Sequence, residues 1–492
     1  MVGCLPISNE RQTNCGWKVI LRKPIAEIKT QHAIGALVGS AVGDALGAPF
    51  EFKSPGLYRS SYPVSIVGGV GEMCGGGGFG WKPAEFTDDT QMAICLAQSL
   101  VQCGGFNADD LWQQWKVWAH DAADVGIQTR EVLAQSSHIG AAKRIHEQSG
   151  GKSAGNGSFM RNTPTALWTA RGTLDELVLL AGQQASLTHY DPQNTFVAAI
   201  HGAMVRAGIR GEDVFDAIDG VLLLLPHGAR DRLAPLLSTQ WQPDMAANNG
   251  TVWTCLAEAV WAVRTAANFE EAMVNAVDLG RDTDTVACVA GGIAGARWGV
   301  QSIPSRWTTY LNGRVNHPTG VTSYDYASLQ ALARKLLGTQ EPHDPPDENA
   351  AGPAQVHDAF PVYAANRLGA ASAPDHWRVI SLCRTDDAFT ARDVRRQVFL
   401  IDKSEPHHNE DLLAVLTDVV DTIDAFLADD PERPILVHCH GGRSRTALVL
   451  KAWAMRRFGQ TEHQAHDWLK RSWDRIDRVN DRFVRILREQ WA

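Results

Sequence analysis

Between residues 27 and 330, apolar positions return at spacings of three and four. HAIGALVGSAVGDALGA, TQMAICLAQSLV, DDLWQQWKVWAH, TPTALWTARG, NTFVAAIHGAMVRAG, VWTCLAEAVWAVRTA and TDTVACVAGGIAGARWG all show the pattern. Few stretches alternate at period two. The pattern predicts an all-α domain with glycine-rich loops between its helices. YASLQALARKLLG adds a last helix, and TQEPHDPPDENAAGPAQ follows at 339–355, polar and proline-rich with little to bury. Beyond 358 the character changes. Short apolar runs, WRVISLC, RQVFLID and RPILVHC, alternate with helical stretches such as EDLLAVLTDVVDTIDAFLAD. This predicts a small α/β domain with a mainly parallel sheet. The expected organisation is an N-terminal extension (1–28), a helical domain (29–338), a polar linker (339–357) and an α/β domain (358–492). The linker suggests halves that are tethered rather than rigidly docked.

Length agrees with this division, since 492 residues exceed the usual single domain. The formal charge of -9 is mild and spread along the chain, so no nucleic-acid partner is expected. The arginines of RSWDRIDRVNDRFVRILRE alternate with carboxylates, as on a solvated helix face. Nine cysteines at irregular spacing, with no CxxC pair, argue against a disulfide scaffold or zinc knuckle and favour a reducing compartment. The first residues lack a cationic head followed by an apolar stretch, and no run approaches 18 apolar residues. No membrane partner and a cytoplasmic location are therefore the expectation.

Candidate chemistry appears first in RPILVHCHGGRSRTALVLKAW, residues 433–453. Ile435, Leu436 and Val437 are a buried strand candidate, Gly441 and Gly442 permit a tight turn, and a helix begins near Ser444 or Arg445. A glycine loop at a helix N-terminus makes an anion nest. Cys439 at its base lies near the loop amides, the helix dipole and Arg445, all of which favour thiolate. Arg445 offers a bidentate fork to phosphoryl oxygens, and the Thr446 hydroxyl could assist departure of the thiolate. HCHGGRSRT resembles the signature loop of the cysteine-dependent protein phosphatases, closest to the dual-specificity group, over about 373–492. The resemblance implies a phosphocysteine intermediate, no cofactor, a phosphorylated protein or small phosphate ester as substrate, and a role for His438 beside the nucleophile. It also implies an aspartic general acid on a loop after an earlier strand. Asp402, ending VFLID, is the first candidate, with Glu405, Asp411 and His407 as alternatives.

A second signal is spread over three places: Asp44 and Glu51 in GSAVGDALGAPFEF, Thr87, Asp88, Asp89 and Thr90 in EFTDDTQM, and Asp282, Asp284 and Thr285 in LGRDTDTVACVAGG. Alternating hydroxyls and carboxylates at two helix starts could be simple caps. Their density suits hard cations, and so many carboxylates would repel one another without one. Together the three stretches resemble the ADP-ribosylglycohydrolase family over about 29–330. That resemblance implies an all-helical fold, an ADP-ribosylated protein as substrate and two Mg²⁺ or Mn²⁺ ions. Its ligands would be Thr87, Asp88, Asp89, Asp282, Asp284 and Thr285. It further implies that Glu51 lies beside the scissile bond, with Asp121 or Asp124 as the alternative acid/base. GNGSFMR would supply Gly155, Asn156, Gly157 and Ser158 as the cradle for diphosphate and distal ribose, through backbone amides. Arginine is the preferred linked side chain, from the likeness of GDALGAPFEF to bacterial arginine-directed members. Serine or another O-linkage is the alternative, as is a domain that only binds. GEMCGGGGFGWKP, residues 71–83, is expected to be a pocket wall or lid.

Overall fold

The computed structural model describes residues 27–491 apart from 67, 245–247, 341–348, 386–388, 390, 391, 393 and 477–479. The expected N-terminal extension, except its last two residues, and the proline-rich centre of the linker fall outside the described residues. The helical half is organised on two antiparallel helices, Thr30–Gly47 and Thr283–Trp298. Glycines at 35, 39, 43 and 47 recur every four residues and so form one stripe along the first helix. A Cβ at Gly39 would come within 2.5 Å of the Gly291 carbonyl oxygen, and one at Gly43 within 2.0 Å of the Ala287 oxygen. The two helices therefore meet backbone against backbone. The Thr283 hydroxyl donates to the Gly47 carbonyl (2.8 Å) and locks the lower end. This contact delivers the chemistry: Glu51 follows the first helix by one short turn, and Asp282 and Asp284 open the second.

The first helix with its following turn is 21 residues of mean hydropathy 1.4, long and apolar enough to cross a membrane. The sequence reading missed it because Gly, Ser and Asp interrupt the apolar run. In the structure this segment is the centre of the core. The helical half also carries a hairpin that helical periodicity could not foretell: β1 (Asn312–His317) pairs antiparallel with β2 (Gly320–Asp325).

The C-terminal half is an α/β layer around a five-stranded sheet. Its strands are β3 (Ala354–His357), β4 (Phe360–Asn366), β5 (Arg378–Ser381), β6 (Arg395–Gln397) and β7 (Ile435–Cys439), in the order β3-β4-β7-β5-β6. All pairings are parallel except β3 with β4. β7 lies at the centre and is buried throughout, as its run of Ile, Leu and Val requires. β3 falls inside the stretch read as linker, so the sheet begins earlier than composition suggested.

The two halves are packed together, which corrects the expectation of a loose tether. The Tyr326 ring stacks on Phe399 (centroids 4.9 Å apart), and Glu410 meets His32 (3.1 Å) and Lys29 (3.5 Å). β6, at the sheet edge, is received by the helical half. The Arg395 amide donates to the Tyr310 hydroxyl (3.0 Å), which donates in turn to the Arg395 carbonyl (3.2 Å). The Gln397 amide donates to Thr309 Oγ1 (3.0 Å).

Candidate active sites

Helix Asp88–Cys103 begins with Thr87 as N-cap, its Oγ1 accepting from the Asp89 amide (3.4 Å). Asp44, wholly buried on the first helix, accepts from the Thr87 amide with both oxygens (3.0 Å) and from the Thr90 amide (3.1 Å). It thus holds this helix start against the first helix. The Thr285 hydroxyl donates to Asp89 Oδ2 (3.4 Å), joining two motifs that lie 196 residues apart. Glu51, Asp88, Asp89, Asp124, Asp282, Asp284 and Thr285 then line one cavity of about 420 Å³, with Gly155, Asn156 and Gly157 on its rim.

The electrostatics reflect that crowding. Burial, then Asp282, Asp124 and Asp44, push the Glu51 carboxyl up to about 8. Burial and Asp282 raise Asp124 to about 6. Asp88, Asp89 and Asp284 are raised well above the carboxylate range, first by burial and then by one another and their neighbours. Asp89 Oδ1 and Glu51 Oε2 are buried with no hydrogen-bond partner among the described residues. An all-oxygen donor set with orphaned carboxylate atoms fits a hard cation. The described carboxylates do not, however, close into a preformed cage of three ligands.

Not every expected residue reaches this cavity. Asp121 lies apart in a neighbouring groove, mostly exposed, bound to His120 Nδ1 (2.6 Å) and the Asn316 amide group (2.8 Å). It ends its helix facing solvent, whereas Asp124, three residues on, turns into the cavity. Thr87 is fully buried behind the cavity as a cap. Ser158 is buried beneath the glycine loop, where its Oγ accepts from Asn194 Nδ2 (2.7 Å). The Asn156 amide donates to the Gly250 carbonyl (3.1 Å), so this member of the expected amide cradle is already engaged. The Asn156 side chain instead donates to Asp282 Oδ2 (2.9 Å), tying the loop to the carboxylates.

Several residues of the site were not singled out from sequence. His189 packs against Gly155 and Gly157, where a Cβ would come within 3.5 and 3.2 Å of its ring. Burial lowers its imidazole to about 3, so it is a neutral buttress. Arg161 lies under the loop, donating to the Gly157 carbonyl (2.8 Å) with its guanidinium 4.0 Å from the Trp115 ring centre. Arg161 is the last residue of GNGSFMR, though its burial under the loop is not legible from the motif, whereas no local signal marks His189, which acts on a loop distant in sequence. Phe79 lines the cavity, so the glycine-rich 71–83 stretch supplies part of its wall.

In the C-terminal half, β7 ends at Cys439, and helix Ser444–Phe458 starts after a four-residue turn. Gly442 has φ +66, and a Cβ there would meet the Ala365 oxygen and Asn366 nitrogen at 2.9 Å, so only glycine fits. Trp473 Nε1 donates to the Gly442 carbonyl (2.7 Å) and pins the turn. Arg445 is buried, with Nη1 donating to the Leu400 carbonyl (3.0 Å). His438 is fully buried, with Nε2 2.7 Å from Ser381 Oγ, and burial lowers it to about 3, so it is neutral. Thr446 Oγ1 is buried and unpartnered among the described residues. Cys439, Arg445 and Asp402 line one cleft of about 750 Å³. Of the alternative acids, His407 also reaches this cleft. Asp411 caps helix Leu412–Asp429, and Glu405 lies on the outer surface of its loop.

Fold and family together define a hydrolase with two separate candidate sites. The description ADP-ribosylglycohydrolase matches residues 26–346, and Dual specificity phosphatase, catalytic domain, matches residues 378–491. The chain belongs to the ADP-ribosylglycohydrolase family and carries a second, phosphatase-type domain; both domain families are enzymes. It is 31% identical over 290 residues to ADP-ribosylarginine hydrolase Tri1 of Serratia proteamaculans (strain 568), spanning 57% of this chain and 75% of that protein. It is 30% identical over 286 residues to ADP-ribosyl-[dinitrogen reductase] glycohydrolase of Rhodospirillum rubrum, spanning 58% and 91%. A solved structure described as an ADP-ribosylglycohydrolase-related protein complex is 30% identical, covers 63% of this chain and 98% of that one, and has a TM-score of 0.49.

Proposed function

We propose that this chain is a bifunctional hydrolase. Its helical half cleaves the bond between ADP-ribose and an arginine side chain, and its α/β half hydrolyses phosphate monoesters through Cys439. The convergence of Glu51, Asp89, Asp284 and Thr285 on one cavity, from three distant stretches, carries the first reading. Asp88, Asp89, Asp282, Asp284 and Thr285 would hold two Mg²⁺ or Mn²⁺ ions, which when bound supply Lewis-acid anchoring of the distal ribose hydroxyls. Glu51, on the wall of the same cavity with one carboxylate oxygen unpartnered among the described residues, is the group placed to act as general acid. It donates a proton to the leaving nitrogen as the glycosidic C–N bond breaks, and the carboxylate so formed takes a proton from the water that adds to the anomeric carbon. The glycine loop, braced by His189, Arg161 and Asn194, orients the nucleotide portion.

At the second site the Cys439 thiolate attacks phosphorus, forming S–P as the ester P–O bond breaks. Asp402 protonates the leaving oxygen, and water then releases phosphate from the thiol. The name of the Serratia relative supports arginine as the linked residue. Mass spectrometry of products from matched arginine- and serine-modified peptides tests this. Release of ADP-ribose from the arginine peptide is expected, and preference for the serine peptide would reassign the leaving group. Phosphatase turnover is expected to vanish in Cys439→Ser and to withstand chelation. Activity that survives Cys439→Ser and dies with chelator would move it to the helical half.

A further inference from the structure

The carboxylate cavity of the helical half has an apolar mouth. Three large apolar side chains from three separate segments line it, and all three stand in solvent: Phe52 is 70% exposed, Ile127 78% and Phe79 40%. Exposed apolar residues scattered singly are ordinary, whereas several around one cavity mark an interaction surface. Phe52 is also held in place. It follows Glu51 directly and has φ +62, a left-handed backbone that an aromatic residue rarely adopts. Its amide donates to the Arg281 carbonyl (2.6 Å), and the Arg281 amide donates to the Lys53 carbonyl (2.9 Å). Arg281 is itself left-handed, at φ +63, and directly precedes Asp282. This backbone pairing fixes Phe52 beside both the candidate acid and a candidate metal ligand. The Phe52 ring lies against Gly78, where a Cβ would be 3.8 Å from it. Phe79 is backed by the buried Trp81, their ring centroids 5.9 Å apart. Ile127 opens helix Ile127–Leu133, three residues after Asp124.

We infer that Phe52, Phe79 and Ile127 form a docking collar for the polypeptide that carries the ADP-ribose, and that the collar favours a substrate with apolar side chains beside the modified arginine. The inference rests on the reading of the helical half as a glycohydrolase of ADP-ribosylated protein. A volume of about 420 Å³ is that of a small-molecule site. It takes the ADP-ribose, so the polypeptide joined to it stays outside, at the mouth. The bond to be broken lies at Glu51, and the chain beyond that bond meets the next residue, Phe52. Burial of an apolar flanking side chain among Phe52, Phe79 and Ile127 removes apolar surface from water on both partners. A polar flank would lose its hydration there and find no hydrogen-bonding side chain among these three.

The experiment uses the full chain and two peptides, each with one ADP-ribosylated arginine, flanked on both sides by leucine in one and by asparagine in the other. Free ADP-ribosylarginine is a further substrate. Release of ADP-ribose from the leucine peptide is expected to exceed that from the asparagine peptide by about tenfold in kcat/KM, the worth of one buried apolar anchor. The quantity read in every variant is this ratio, taken within one preparation and so independent of the fraction that is folded. Phe52→Ser and Ile127→Ser should each lower it to about threefold or less. Ile139→Ser is the matched comparison: Ile139 is 74% exposed and lies outside the cavity lining, and its loss should leave the ratio at about tenfold. A ratio near one in the unaltered chain, or one that Phe52→Ser and Ile127→Ser do not move, would overturn the inference alone, provided that free ADP-ribosylarginine is cleaved. So would a loss on free ADP-ribosylarginine as large as that on the leucine peptide, which would assign these side chains to the nucleotide. No release of ADP-ribose from any of the substrates by the unaltered chain would instead overturn the glycohydrolase reading beneath it.

Discussion

Substituting alanine for Gly43 tests whether helix contact in the core sets the geometry of the glycohydrolase cavity. A Cβ at this position would lie 2.0 Å from the Ala287 oxygen and 2.5 Å from its carbonyl carbon, both backbone atoms of helix Thr283–Trp298. Backbone cannot rotate aside as a side chain can, so the helices must separate by on the order of an ångström to restore van der Waals contact. Overpacking of this kind costs about 1–3 kcal/mol. Alanine recovers about 1 kcal/mol of helix propensity, so the net loss is expected to be about 0–2 kcal/mol. In a domain of this size that lowers Tm by up to roughly 8 °C. The functional effect should be larger than the thermal one. Glu51 is carried by the first helix, and Asp284 and Thr285 by the second, so their separation changes directly. Misplacement by about 1 Å can cost on the order of 100-fold in rate. Differential scanning calorimetry and release of ADP-ribose from a modified protein measure the two effects, with p-nitrophenyl phosphate turnover as the internal control. Gly220, in an outer helix where an added Cβ would meet nothing within 4 Å, is the matched comparison. Gly220→Ala should be neutral or stabilising by up to about 1 kcal/mol. If Gly43→Ala behaves like Gly220→Ala and keeps full glycohydrolase activity, the backbone contact does not hold the cavity.

Asp284→Asn, or thorough chelation, should abolish ADP-ribose release and leave phosphatase activity within about twofold, because the two clusters share no residue. Asp402→Ala should slow hydrolysis of alkyl phosphates far more than of aryl phosphates with good leaving groups, which need less protonation; an equal loss on both would move the acid to His407. Burial lowers His201 to about 4 in the folded chain. The unfolded chain binds a proton there near pH 6.5, so the stability contribution is present above that value and falls as pH drops towards 4. At pH 5 the loss is about 2 kcal/mol. Urea midpoints at pH 7.5 and 5.0 should show a smaller difference for His201→Asn than for the unaltered chain.

What the sequence disclosed depended on whether a feature leaves a local trace. Helical periodicity, the strand before Cys439 and the glycines after it are contiguous, and β7, its turn and helix Ser444–Phe458 lie where they were expected. The three carboxylate stretches could be picked out, but their meeting is a property of the helix pair. Only the stripe at 35, 39, 43 and 47 hinted at that contact. Asp121 and Asp124 are indistinguishable as letters. A helix end between them sends one to solvent and the other into the cavity. His189 acts through burial against a loop distant in sequence and carries no motif, and Arg161, which ends GNGSFMR, acts through a burial that the motif does not show. The docking of the halves was hidden for another reason. The composition of a proline-rich connector says nothing of the faces it joins, here Tyr326 with Phe399 and Thr309 with β6.

The reception of β6 by Tyr310 and Thr309 bears on how such a chain can be made. A three-residue strand at a sheet margin leaves amides and carbonyls open to any extended segment that passes, and here the amide and carbonyl of Arg395 and the amide of Gln397 are met by hydroxyls from the other half. Synthesis runs from the amino terminus, so Thr309 and Tyr310 leave the ribosome before the strand they protect. The groups that cover the strand edge are therefore already made when the strand itself appears. A fragment beginning near residue 350 would emerge with that margin bare, and it should be recovered chiefly as aggregate unless the helical half is supplied alongside it.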